Sequence, residues 1–362
     1  MSELFSFAKS PTSGTIPPWL STNPDDIRRA LSTKEGWRQF VERTPKKPIT
    51  LTKARYNRLS APQRAEYNLA RIGFHRSLVL VRHQQLNAAW VRLSDISQGQ
   101  EQDDGPGVGA AVTGRPGHGK TAAVTGYLRE YERALRATWP EAFEQEDELV
   151  PVVYSSLLRG AGLKAQMHHI LGFFGEEARP RETGSQLVTR LITTMSDCRT
   201  GMLALDQGQN LHIGDRRDEE VAAVIKQLMD DYRGTIIIIG NDLDTSGPLA
   251  PNVDGRSNAD REQLARRFHI VPIRAIESES PEWKDLLAAA ESKLILMNSR
   301  PGDISVSLAD TIWDLSNGAI GVAFNIINVA ANAAIANNSE RVTKALLKQT
   351  AKTVESYRRL AA

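Results

Sequence analysis

The residues whose types and spacing could do chemistry lie first in one octapeptide, Gly114-Arg115-Pro116-Gly117-His118-Gly119-Lys120-Thr121. Glycine, four residues, then Gly-Lys-Thr is the spacing of a phosphate-binding loop. The glycines let backbone N–H groups turn inward around an anion, at the positive end of the helix that follows. This assigns Gly114 through Ala122 to nucleotide contact. Lys120 reaches the β- and γ-phosphates of a nucleoside triphosphate, and the Thr121 hydroxyl holds Mg²⁺. A glycine turn between two core elements is the competing reading; a strand before and a helix behind favour the nucleotide. A second feature is Asp206, which ends the apolar run Met202-Leu203-Ala204-Leu205 and is placed to order Mg²⁺ through its water shell.

The residue after Asp206 is an anomaly. ATPases of the additional-strand type usually carry glutamate there, to polarise the attacking water. Gln207 stands in its place. An amide can orient water but cannot take its proton, so slow hydrolysis is expected. Neither Asn210 nor Asp215 can be nominated as a substitute from sequence. Asn241 follows the apolar run Ile236 to Gly240, where a sensor group would meet the γ-phosphate; a simple turn former is the alternative. Arg266 and Arg267 close a helix before another strand. They either compensate the helix dipole or act as an arginine finger on a neighbouring subunit's γ-phosphate, with Arg267 preferred.

The elements that must position these groups are legible in the periodicity. Short apolar runs at Val108–Thr113, Val150–Tyr154, Gly201–Asp206, Thr235–Gly240 and Ile270–Ile273 predict five strands. They alternate with helices predicted over Ala122–Arg136, Leu163–Leu171, Ser185–Cys198, Asp218–Tyr232 and Ala259–Phe268. Such alternation implies a parallel α/β sheet with ligands at the carboxyl ends of its strands. A lid of helices is expected beyond it: Pro281–Met297, Val306–Leu315, Ile320–Ala336 and a last basic helix capped by Ser339-Glu340. That last helix could touch DNA or a partner, or be a solvated end.

Charge is uneven along the 362 residues, although the total is only +2. Between Ile27 and Ser94 there are 15 Lys and Arg against 3 acidic residues, a net +12. Helices are predicted from Pro24, over Gly36–Arg43, Gln63–Val79 and Arg82–Arg92, and Ser97–Gly109 reads as a linker. The basic block is either a solvated face or a nucleic-acid surface; Trp37, Tyr56, Tyr67 and Trp90 within it have core spacing. Four segments are therefore expected: an extended arm (1–26), a basic helical N-terminal segment (27–96), the nucleotide-binding core (97–276) and the C-terminal helical lid (277–362). One cysteine, Cys198, rules out an internal disulfide framework and a cysteine-rich zinc site. No apolar run approaches membrane-spanning length and no signal-peptide pattern opens the chain, so a cytoplasmic protein without membrane contact is expected.

Taken together, Gly114–Thr121, Leu203–Gln207, Asn241 and Leu264–Phe268 resemble an AAA+ ATPase. The chain resembles, more narrowly, the TniB/TnsC family of transposon-encoded AAA+ regulators. Carrying that narrower match are Gly36-Trp37, Leu59 to Arg64, Tyr67-Asn68-Leu69-Ala70-Arg71, Phe74-His75 and Asn317-Gly318-Ala319-Ile320-Gly321. The resemblance implies an AAA+ P-loop core with a five-stranded parallel sheet, ATP and Mg²⁺ as cofactors, and a ring or filament on double-stranded DNA. It implies a link between a target selector and a DDE-type transposase, with DNA held by basic residues for which Arg159 and Lys164 are the candidates. No sensor 2 arginine stands near Gly318–Gly321. Two other readings remain: an ATP-gated DNA clamp that hardly hydrolyses, favoured by Gln207, and another AAA+ DNA function such as a helicase loader or defence ATPase.

Overall fold

The structure, a computed structural model, describes residues 29–76, 81–102, 107–145, 149–179, 181–211, 216–250 and 259–360. The expected N-terminal arm, the helix predicted from Pro24, and Asp215 lie outside these. In chain order the helices α1 (Lys34–Glu42), α2 (Lys53–Asn57), α3 (Ala61–Arg76) and α4 (Gln84–Gln102) come first. Next are β1 (Gly109–Gly114), α5 (Lys120–Thr138), α6 (Pro140–Gln145), β2 (Val152–Ser156), α7 (Leu163–Leu171) and α8 (Gly184–Asp197). Then come β3 (Met202–Asp206), α9 (Arg216–Asp231), β4 (Thr235–Asn241), α10 (Ala259–Arg266) and β5 (Phe268–Pro272). Four helices follow: α11 (Pro281–Glu291), α12 (Ala309–Ser316), α13 (Ile320–Ala336) and α14 (Lys344–Leu360).

These elements form two compact units that do not follow chain order. The nucleotide unit comprises Arg29–Arg43 and Arg82–Ala275; in the other, Thr44–Val81 joins the chain from Ile276 onward.

In the nucleotide unit all five strands are parallel, in the order β2-β3-β4-β1-β5. The apolar runs are continuous rather than alternating because the strands are covered on both sides. Ile236 through Ile239 are each at most 1% exposed. Helices α4 and α5 pack against β1 and β4. Helix α1 also belongs here. Its Trp37 is buried and donates its ring N–H to Glu132 Oε2 at 2.7 Å, and Arg133 Nε reaches Val41 O at 2.6 Å. Of the linker expected over Ser97–Gly109, the first part, Ser97 to Gln102, is instead the end of α4. Leu86, Ala89, Trp90, Leu93 and Ile96 are buried at helical spacing, and their burial outweighs the roughly 1 kcal/mol by which Gly99 weakens the helix.

The other unit is built around Trp283, Leu286, Ile312, Phe324 and the alanine face of α13. Helix α11 ends at Glu291, short of the expected Met297. The Glu291 carboxylate accepts the backbone N–H groups of Gly302, Ile304 and Ser305 and turns the chain. Glu340, expected as a cap of the final helix, is directed inward, and α14 begins four residues later, with Thr343 Oγ1 accepting Leu346 N–H. Among the described residues no single helix is long and apolar enough to cross a membrane.

Candidate nucleotide site

The strand order places the chemistry. Because β4 lies between β1 and β3, the residue ending β4 stands between the phosphate loop and Asp206. Register pairs Gly114 with Asn241 directly. The loop bends back from β1 with φ of 148° at Gly114, 82° at Gly117 and 90° at Gly119. These are conformations that side chains resist. At Gly114 space forbids one as well, since a Cβ there would stand 2.1 Å from the Ile273 carbonyl oxygen. Gly119 is the N-cap of α5, so the first amides of that helix are left to an external acceptor. His118, inside the loop, is tied to Ile273 O at 3.0 Å; a carbonyl only accepts, so Nδ1 carries the proton.

Lys120 is 7% exposed, yet its ammonium meets only neutral acceptors: Gly114 O and Arg115 O, both at 2.8 Å, and Asn241 Oδ1 at 2.7 Å. Burial pulls its pKa below the ordinary lysine value, while the Asp242 and Asp206 carboxylates pull it partly back. Thr121 Oγ1 donates to Asp206 Oδ2 at 2.9 Å. The same oxygen accepts the Tyr154 hydroxyl at 2.6 Å, and Oδ1 accepts Gln207 N–H at 2.7 Å. The set fits a magnesium–nucleotide: a hydroxyl beside a carboxylate, a buried cation with no anion bonded to it, and a loop whose glycines hold conformations that side chains resist.

Gln207 is exposed and left-handed, with φ 63°. Its Oε1 accepts from Gln209 Nε2 at 2.6 Å, and Gln209 Oε1 in turn accepts Asn241 N–H at 3.0 Å. The position after Asp206 is thus wired to the Asn241 backbone by a second glutamine. Asn210 points elsewhere, donating to Leu157 O at 2.8 Å.

The structure brings Gly114 through Ala122, Asp206, Gln207 and Asn241 together. The other predicted residues stand apart. Arg267 is half-buried and ion-paired with Asp230 of α9, whereas its neighbour Arg266 is exposed. Arg159 and Lys164 are exposed on and just beyond the loop after β2. Three participants went unread: Tyr154, Gln209, and Asp244, which accepts the Thr113 hydroxyl at 2.9 Å. For Tyr154 the sequence offered only a phenol within a buried strand; that the neighbouring strand bears Asp206 is a tertiary fact.

Fold and site together define an AAA+ P-loop ATPase. Residues 71–276 match the bacterial TniB protein family, and the chain belongs to it. Similar solved structures share the fold at low identity. The Aeropyrum pernix ORC2 protein, solved as ADPNP-ADP complexes, is 13% identical with a TM-score of 0.54, over 74% of this chain and 66% of that one. The Aeropyrum pernix ORC1 protein in complex with DNA is 17% identical with a TM-score of 0.53, over 79% and 69%. Cdc6p from Pyrobaculum aerophilum is 18% identical with a TM-score of 0.54, over 78% and 70%. This chain thus spans about two thirds of the length of these proteins. No curated protein matches it.

Proposed function

We propose that this protein is an ATP-dependent regulator of DNA transposition that oligomerises on double-stranded DNA and turns ATP over slowly. The observation that carries the reading is the convergence of Lys120, Thr121, Asp206 and Asn241 on one phosphate cradle in a TniB-family chain. Bound Mg²⁺ would neutralise charge on the phosphates. Loop amides and Lys120 hold the phosphates, Thr121 and Asp206 orient the metal's shell, and Asn241 marks the γ-phosphate position. Gln207 orients water without removing its proton. Arg266 and Arg267 are offered to the γ-phosphate of an adjacent subunit in a ring or filament; Arg267 must first leave Asp230. Arg159 and Lys164 contact DNA phosphates. Assembly links a target selector to a DDE-type transposase, in the cytoplasm. The DNA-bound ORC1 relative, the family and the front segment's charge support the DNA partner.

ATP turnover of wild type and Gln207→Glu, with and without double-stranded DNA and alongside particle imaging, tests this. Wild type should assemble on DNA with ATP and hydrolyse slowly, and Gln207→Glu should be faster by about 10²-fold, the contribution of a placed general base. Brisk wild-type hydrolysis refutes the role given to Gln207. No assembly on DNA with any nucleotide refutes the transposition reading and favours another AAA+ function, such as a helicase loader or defence ATPase. An ATP-gated clamp that hardly hydrolyses is the second reading, favoured by the engagement of the Gln207 amide by Gln209.

A further inference from the structure

Asp206 has a third partner that the phosphate loop does not supply. The Tyr154 hydroxyl donates to Oδ2 at 2.6 Å, shorter than the 2.9 Å bond from Thr121 to the same oxygen. With Gln207 N–H on Oδ1, both carboxylate oxygens are occupied and the plane of the carboxylate is set. Tyr154 is itself buried, and burial beside Asp206 raises its pKa far above the ordinary phenol value. Its ring is stacked on Trp37 of α1, with centroids 6.1 Å apart and planes 16° apart. Trp37 is 2% exposed and anchored through its N–H to Glu132, which Arg136 grips at 2.7 Å. An unbroken path of contacts thus runs from α1 through Tyr154 to Asp206.

We infer that Tyr154 is a positioning residue for the Mg²⁺ site: seated by Trp37, it holds the Asp206 carboxylate in the orientation that a metal's water shell requires. A group that hydrogen-bonds a carboxylate in this way sets both its direction and its basicity. The inference rests on the reading of this site as one for ATP and Mg²⁺.

The test is Mg²⁺ titration of the binding of a fluorescent ATP analogue to the full chain, compared with binding in EDTA, for wild type, Tyr154→Phe and Asp206→Asn. The phenylalanine keeps the ring against Trp37 and removes only the hydroxyl. Tyr154→Phe should need about tenfold or more Mg²⁺ for half-saturation, with affinity in EDTA unchanged and Asp206→Asn showing the larger defect. An unshifted Mg²⁺ requirement in Tyr154→Phe, with Asp206→Asn defective, overturns the positioning role and leaves the ATP site standing. An equal loss in EDTA and in Mg²⁺ also overturns it, because that is the signature of a merely structural role. Wild-type binding that is indifferent to Mg²⁺ overturns the site reading and the role of Tyr154 with it.

Discussion

Lys120 in the nucleotide unit and Arg71 in the other unit are both buried cations, and they differ in what faces them. Arg71, 0% exposed, meets Glu340 through two bonds, Nη1 to Oε2 at 2.7 Å and Nη2 to Oε1 at 3.0 Å. It also donates to Ile295 O at 3.2 Å and lies over the Tyr67 ring. The chain supplies that cation with its own anion, 269 residues away. Lys120 bonds only to two loop carbonyls and an amide oxygen, none of them charged. A buried charge with a built-in partner serves the fold. One held only by neutral acceptors is what the proposed phosphate site requires.

Removing one member of the closed pair should give the largest effect. Arg71→Ala strands the buried Glu340 carboxylate and should cost about 3–5 kcal/mol in urea unfolding of the full chain. Nucleotide affinity of the folded fraction should hold. A loss under about 1 kcal/mol, the worth of an exposed pair, would show that Arg71 and Glu340 do not secure this unit.

Next in size is a pH effect in the same unit. His75 Nε2 accepts Ile295 N–H at 2.9 Å, and Nδ1 lies 3.2 Å from Asn332 Oδ1. Only the neutral ring protonated at Nδ1 satisfies both. Burial, helped by Arg71, pushes the His75 pKa down to about 4, against opposing pulls from Asn332 and Glu340. A folded pKa below the unfolded 6.5 means that its stabilisation is fully present above pH 6.5 and is lost as pH falls toward 4. About 3 kcal/mol should be lost across that window, at 1.36 kcal/mol per unit. His75→Gln should flatten this slope relative to wild type in urea melts at pH 7 and 4.5; an equal slope in both refutes the assignment.

The smallest effect sharpens the contrast most. Lys120→Ala should weaken ATP binding by about 1.5–3 kcal/mol, the worth of charge-assisted hydrogen bonds. It should leave the melting temperature unchanged or higher, because a desolvated charge is gone. A clear loss of stability together with unchanged nucleotide affinity would make Lys120 a fold residue like Arg71 and dissolve the distinction.

The candidate nucleotide site was legible because its signals are local. Gly-Lys-Thr spacing, an apolar strand ending in Asp206 and another ending in Asn241 each occupy fewer than ten residues. Boundaries slipped where side chains decide them. Helix α4 ran through Ser97 because Leu93 and Ile96 had a core to enter, and α11 stopped early because Glu291 found backbone donors eleven to fourteen residues on. Tyr154 was hidden for a related reason. Its partner lies on another strand, and β2 reads equally well as a strand whichever neighbour it has.

By itself the sequence determined the phosphate loop, the carboxylate and amide that accompany it, and the alternation that makes a parallel sheet. Local spacing and turn chemistry specify those without reference to the rest of the chain. Only the tertiary structure decided that β4 separates β1 from β3, bringing Asn241 to Lys120. It also decided that residues 44–81 join the C-terminal unit while 29–43 join the nucleotide unit. Those outcomes depend on which buried faces and charges find each other across 95 to 269 residues: Trp37 with Glu132 and Tyr154, and Arg71 with Glu340. Periodicity says that a residue is buried; it does not say against what.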